Sequence, residues 1–388
     1  MIQYKNLEKH IYFLIFIFPI SILTGVAFLN INSALIALSF IFFIFKFDRK
    51  DLINDKAYYP FFLLLLIFFL SSIFSKYNLK SFENSITFAL QLLIFISLIF
   101  FLNKDKIFKF NLSKLVSYII IVICVDLWFQ SILGKNILGF EQQQAGRLTS
   151  FFKDEQIPGG ILFKLSPFFI YYVFKETNKY VRKLRYLLIF FLYFSILITG
   201  ERLASILSTI ALFIIPILNF KKINLKTMII YFFIFFTVFL LIYFQNDSII
   251  RERIFYTFDQ FNNNVYFKFF DNAFIIFKDN FLIGTGLQTY RYECALISEN
   301  CSTHPHNFVF ELLSDTGIFG TLVFYFSLFF FCLNKLKNIS SSFDKSIIIT
   351  FTILVFFPFL PSGSFFNSFG MFIIWFTLGF IYSFKNDL

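Results

Sequence analysis

Two imidazoles and a carboxamide stand together at the foot of an apolar run: His304-Pro305-His306-Asn307, followed by Phe308-Val309-Phe310. A neutral imidazole near pH 7 can take a proton from a hydroxyl group. Pro305 pushes the residue before it toward extended backbone, so a helix is expected to begin at His306 or Asn307. Plain capping of that helix accounts for one polar residue, and Asn is suited to it, but it does not account for two histidines. The start of the helix also favours an anion nearby. A metal centre at His304 and His306 would need further ligands, and no other histidine or cysteine pair has suitable spacing, so no metal and no other cofactor is expected.

A second chemistry belongs to arginine, whose planar fork matches phosphate and carboxylate. In "TGERLAS", residues 199–205, Glu201 and Arg202 occupy a minimal turn between two apolar runs. A solvated hairpin tip would explain them, but uncharged residues make such a turn at less cost, so charge at a membrane edge reads as function. Arg147 and Arg291 lie in two long polar segments, where headgroup contact is the plain alternative. Arg251 and Arg253 flank a span end and fit simple snorkelling. Taken together, arginines that hold a diphosphate and a histidine that activates a hydroxyl describe glycan transfer from a lipid-diphosphate carrier.

The elements that must position these groups are membrane helices. The 388 residues are 58% hydrophobic and only 15% charged, with mean hydropathy +0.75. No stretch is large and polar enough to fold as a separate soluble domain. The 69 phenylalanines follow a general bias toward Phe, Ile, Lys and Asn rather than an aromatic cofactor box. Apolar runs fall near 11–29, 33–47, 60–75, 85–102, 114–133, 161–174, 186–200, 203–218, 227–244, 307–333, 346–361 and 365–383. They predict an all-α integral membrane protein of about twelve transmembrane helices, one polytopic domain over 1–388. The first run lacks a small-residue cleavage site and is read as a retained helix.

Net charge is +11, yet the basic residues lie in short loops between spans, which speaks for topology and against nucleic acid. Loops such as "KFDRKDLINDK" and "KETNKYVRKLR" make one side lysine-rich, and that side, with both termini, is expected to be cytoplasmic. Only Arg49, Arg182 and Arg185 fall there. Arg147, Arg202, Arg251, Arg253 and Arg291 fall on the outer side, where topology does not explain them.

Two outer segments are long. Residues 133–160 form one, polar and rich in glycine; 245–306 form the other, with "FDNAFIIFKDN" at helical spacing suggesting a helix on the membrane surface. The motif of 307–320 then continues into a span. Cys294 and Cys301 share the second loop and could close a small disulfide that pins the approach to the histidines, whereas Cys124 and Cys332 sit within spans. Asp126 lies inside a span, either paired with a polar group of the bundle or marking a pathway.

The chain resembles the O-antigen ligase and O-antigen polymerase superfamily. The family's His-Asn signature is matched in spacing by His306, Asn307, Phe310, Asp315, Gly317 and Gly320, with Phe310 and Asp315 standing where Leu and Glu are usual. "DNFLIGTGLQTYR", "CSTHPHN", "TGERLAS" and "GRLTSFFKDEQIPGGIL" are similar to further family segments, in order. The resemblance implies a glycosyltransferase-C-like membrane fold with a periplasmic active site in the bacterial inner membrane. It implies an undecaprenyl-diphosphate-linked glycan donor, inversion at the anomeric carbon and no required metal. His306 takes the essential histidine's place and Arg202 that of an essential diphosphate-binding arginine. Arg291, Arg147, His304, Glu201 and Asn307 would bind donor or glycan, and Asp315, Gly317 and Gly320 would support the site.

The acceptor stays open. A ligase would pass the glycan to lipid A-core, the reading preferred here; a polymerase would extend a lipid-linked repeat. A flippase would line a lumen with charges through many spans, and the sparse interior charge argues against it. A protein glycosyltransferase on the same scaffold is a further possibility.

Overall fold

The computed structural model describes residues 2–47, 56–142, 146–153, 155–219, 224–244, 265–299, 301–358 and 362–384. Arg251, Arg253 and parts of both long loops fall outside them. Regular structure among the described residues is helical, apart from one antiparallel bridge between Lys135 and Glu141. In chain order the longer helices are α1 (Ile2–Ile17), α2 (Val26–Lys46), α3 (Tyr59–Phe74), α4 (Asn78–Lys104), α5 (Lys106–Leu133), α6 (Pro158–Lys175) and α7 (Lys179–Ile198). There follow α8 (Arg202–Leu218), α9 (Leu225–Phe244), α10 (Val265–Asp279), α11 (Tyr290–Ile297), α12 (Phe308–Lys337), α13 (Ser342–Val355) and α14 (Ser368–Tyr382).

The helix boundaries have local causes. Asp105, Asn178, Asn307 and Asn367 each accept backbone amide bonds as N-caps of α5, α7, α12 and α14. Pro158 opens α6 at a position that needs no amide donor. Six helical stretches among the described residues are long and apolar enough to cross a membrane: Tyr4–Thr24, Val26–Lys46, Lys56–Phe74, Asn78–Lys104, Lys106–Leu133 and Phe308–Lys337. Arg202–Leu218, Leu225–Ile234 and Phe369–Tyr382 are shorter apolar helices. Such a chain is an integral membrane protein.

The chain folds as two compact units. The first takes residues 1–104, 264–340 and 355–388. Its centre is aromatic: Trp375 lies 5.3 Å from Phe95 and 5.6 Å from Phe61, both edge-on, and Phe331 closes the group 5.5 Å from Phe61. The second unit takes residues 105–263 and 341–354. There Tyr186, Phe190 and Phe194 of α7 form a buried stripe, and Trp128 of α5 donates to Ser195 Oγ at 3.0 Å.

Asp126 organises the second unit's long loop. Buried on α5, it accepts from the Ile137 amide at 2.8 Å and from Ser150 Oγ at 2.6 Å. One turn on, Gln130 accepts the amides of Thr149 and Ser150 at 3.0 and 2.9 Å. The two side chains therefore fix both ends of the segment that carries Arg147.

Candidate functional site

In the first unit the chemistry-bearing residues are set by a break in α12. Gly317 has φ 64° and ψ −167° inside this helix, so the i→i−4 ladder stops there. The freed backbone groups pair with the segment 281–286. Thr285 and Gly286 donate to the carbonyls of Ser314 and Asp315 at 3.0 and 2.9 Å, while Ile318 donates to the carbonyl of Phe281 at 2.9 Å. Glycine is needed on both sides. A Cβ at Gly284 would run into the backbone of Asp315 and Thr316, and one at Gly317 into that of Leu282 and Ile283. Asp315, wholly buried, accepts from the amides of Gln288 and Tyr290 at 2.7 and 3.0 Å, so it holds the start of α11. Gly320 faces the Thr316 side chain of the preceding turn.

The helix α11 carries Arg291 and, one turn later, Cys294, which is joined by a disulfide to Cys301. The chain then runs straight into the histidines. Asn307 Oδ1 accepts from the amides of Val309 and Phe310 at 2.8 and 3.2 Å, and its Nδ2 donates to the Pro358 carbonyl at 2.8 Å. Capping is thus performed by Asn307, and neither imidazole is engaged in it.

His306 precedes the cap with φ 55°, a left-handed conformation uncommon for a side chain of its size. Its carbonyl accepts the Ser362 amide at 2.7 Å, and its Nε2 lies 3.0 Å from Ser302 Oγ. The ring is flanked by Tyr266 and Phe269 of α10, with centroids at 5.1 and 5.6 Å. His304 lies against it, 4.0 Å centroid to centroid, with Nδ1 3.1 Å from Thr303 Oγ1. Burial lowers the pKa of His306. For His304, burial first, then the neighbouring His306, which disfavours a second protonated ring, and the charge of Arg291 lower the pKa to about 3 against a weaker pull from Ser362. Both rings are neutral at pH 7. His304 Nε2 and Arg291 Nε are buried and make no hydrogen bond of good geometry among the described residues.

Glu311 is a site residue that the reading from sequence missed. It is buried on α12, one turn beyond Asn307 and one before Asp315, and accepts from Ser364 Oγ at 2.5 Å and the Phe365 amide at 2.6 Å. The charge of Arg291 reaches it. Its spacing from Asn307 and Asp315, four residues each way on one helical face, was the available signal.

The second unit holds Arg147, Glu201 and Arg202. Glu201 is the N-cap residue of α8, and its carboxylate accepts the amides of Gly159 and Gly160 at 2.5 and 2.9 Å, across the start of α6. Burial raises its pKa to about 7, opposed by those two amides and by the charges of Arg147 and Lys164. Arg147 donates to Gln156 Oε1 at 2.5 Å, and the Leu148 amide donates to the Thr199 carbonyl at 3.2 Å, tying this loop to the Glu201 turn. Arg202 follows as the half-buried first residue of α8. The predicted set is therefore gathered in two places, each within its own unit.

Residues 187–325 match the O-antigen ligase family model. The matched segment contains Glu201, Arg202, Arg291, both bridged cysteines and the run from His304 to Gly320, while Arg147 lies ahead of it. The match supports the O-antigen ligase and polymerase superfamily, and with it a ligase- or polymerase-like role in O-antigen processing, with lipid-linked glycans as the class of substrate. A comparison with curated proteins gives no match.

Proposed function

We propose that the protein is an O-antigen ligase-like glycosyltransferase that moves a glycan from undecaprenyl diphosphate to lipid A-core at the periplasmic face of the inner membrane. The reading includes about twelve spans, with both termini cytoplasmic. The observation that carries it is His306: a neutral imidazole in a strained backbone conformation, directly before a capped helix, inside the segment matched to the O-antigen ligase family. Strain of this kind, about 1–3 kcal/mol, persists where the surrounding structure imposes it.

In the proposed reaction the acceptor hydroxyl attacks the anomeric carbon. Its proton passes to a ring nitrogen of His306, and the anomeric carbon–oxygen bond to the diphosphate breaks, the electron pair leaving on the phosphate oxygen. One displacement inverts the anomeric centre. Arg202 and Arg147 bind the diphosphate, where a bidentate fork offsets the charge of the leaving group. Arg291 and His304 offer buried donors to the glycan, and Glu201 and Asn307 fix the backbone around the groups that react. Asp315, Gly317 and Gly320 keep the break in α12 closed.

The test is reconstitution of the full chain with a lipid-diphosphate oligosaccharide, offering lipid A-core and a second lipid-linked repeat as competing acceptors, with chelator present. Transfer to lipid A-core is expected. Transfer to the second repeat instead makes the protein a polymerase, and no transfer to either acceptor ends the proposal.

A further inference from the structure

The short segment between α6 and α7, together with the first turns of α7, carries charge that the reaction does not use and whose choice of arginine topology does not explain. Lys179, Arg182, Lys183 and Arg185 line one cleft of about 330 Å³. Among the described residues, none of the four has a carboxylate partner. The neighbouring acid, Glu176, is committed elsewhere: its Oε1 accepts the amides of Thr177 and Asn178 at 2.7 and 3.0 Å.

Topology asks only for positive charge, and lysine supplies it elsewhere on this side. Yet two of the three arginines there, Arg182 and Arg185, stand in this one cleft. Arg185 is also held in place. Its guanidinium lies 5.0 Å from the Phe174 ring and 4.9 Å from the Tyr186 ring, and its Nε is buried with no hydrogen-bond partner. A guanidinium packed against this pair of rings, with one Nη 3.5 Å from the Tyr186 hydroxyl, keeps its remaining donors oriented for a phosphate. On the same helix, one turn apart, Tyr180 and Leu184 are 77% and 39% exposed, an apolar edge beside the cations.

We propose that the cleft lined by Lys179, Arg182, Lys183 and Arg185 binds the phosphate headgroup of an anionic phospholipid, with Tyr180 and Leu184 against its acyl chains. The ligand chemistry is a phosphate monoanion carried on a lipid. The four cations lie ahead of the segment matched to the O-antigen ligase family, and the proposal does not depend on glycan transfer.

The full chain, reconstituted into nanodiscs of phosphatidylcholine with one-tenth phosphatidylglycerol, is released into detergent, and its retained lipid is measured by native mass spectrometry. Nanodiscs expose both faces, so an effect of the substitutions on cellular topology does not enter. Retained phosphatidylglycerol is expected well above its share of the mixture, falling about fivefold for each cation replaced by glutamine. A Lys179→Gln/Lys183→Gln protein, altered only at exposed side chains, guards against misfolding of the fourfold variant. Arg185→Lys is expected to lose retention although the charge is kept. Equal retention of the two lipids, or undiminished retention by the Lys179→Gln/Lys183→Gln protein, overturns the proposal. So does stabilisation by millimolar inorganic phosphate as large as that by phosphatidylglycerol, which would make free phosphate the ligand.

Discussion

The imidazoles of His304 and His306 lie 4.0 Å apart, and burial keeps both neutral, so neither repels the other. Two protonated rings at that separation would oppose one another strongly. The pair therefore presents ring nitrogens able to accept a proton, next to Arg291, which presents only donors.

His306→Ala is expected to lower transfer by about 10²–10⁴, the usual contribution of a general base. His306→Gly should fail as badly in transfer yet be more heat-stable than His306→Ala, because both lose the ring and only glycine adopts φ 55° without strain. A His306→Gly protein with normal transfer would remove the histidine from the chemistry.

Arg202→Lys is expected to fail in transfer, since a point charge replaces a fork that can hold two phosphate oxygens. Donor binding, followed with a lipid-diphosphate sugar, should weaken in the same variant while its abundance in membranes is unchanged. An Arg202→Lys protein as active as the parent would exclude a bidentate contact.

Glycine-to-alanine changes at the helix break should separate by what the new methyl group meets. Gly284→Ala and Gly317→Ala combine a positive φ with collision against backbone and are expected to cost about 3 kcal/mol or more, read as loss of folded protein on heating. Gly320→Ala has no positive φ to strain, but its methyl would meet the buried Thr316 at Cβ as well as Oγ1, which rotation of that side chain does not clear, so it too is expected to destabilise.

Glu201 gives a pH signature. Its folded-state pKa is raised to about 7, above the ordinary carboxylate value, so the folded protein holds a proton that the unfolded chain has lost. Its contribution is present in full below the unfolded value and is lost as pH rises toward about 7. Thermal unfolding from pH 4.5 to 7.5 should show this fall in the parent and a flatter profile in Glu201→Gln. Equal slopes would mean that the carboxylate is not held as described.

What could be read from the sequence, and what could not, divides along the range of the interactions. The helical runs and the start of α12 are local: apolar stretches and a single Asn cap set them. The role of Asp126 is not legible in sequence because its partners, Ile137 and Ser150, meet it only when the loop folds back. Glu311 escaped notice for the same reason, since Ser364 and Phe365 lie more than fifty residues downstream. Arg182 and Arg185 read in sequence merely as charges that set orientation, because nothing in a linear string shows a guanidinium packed against Phe174 and Tyr186.

The interruption of α12 has a consequence for biogenesis. A helix with unpaired carbonyls and amides some ten residues past its start, about 15 Å along its axis, cannot rest in hydrocarbon by itself. The strip that completes it, 281–286, is translated earlier than 314–319, so the ribosome delivers the complement before the span that requires it. Membrane entry of this helix and docking of that strip then become one cooperative event, and a defect in either should leave the nascent polypeptide for quality-control proteases instead of a half-active enzyme.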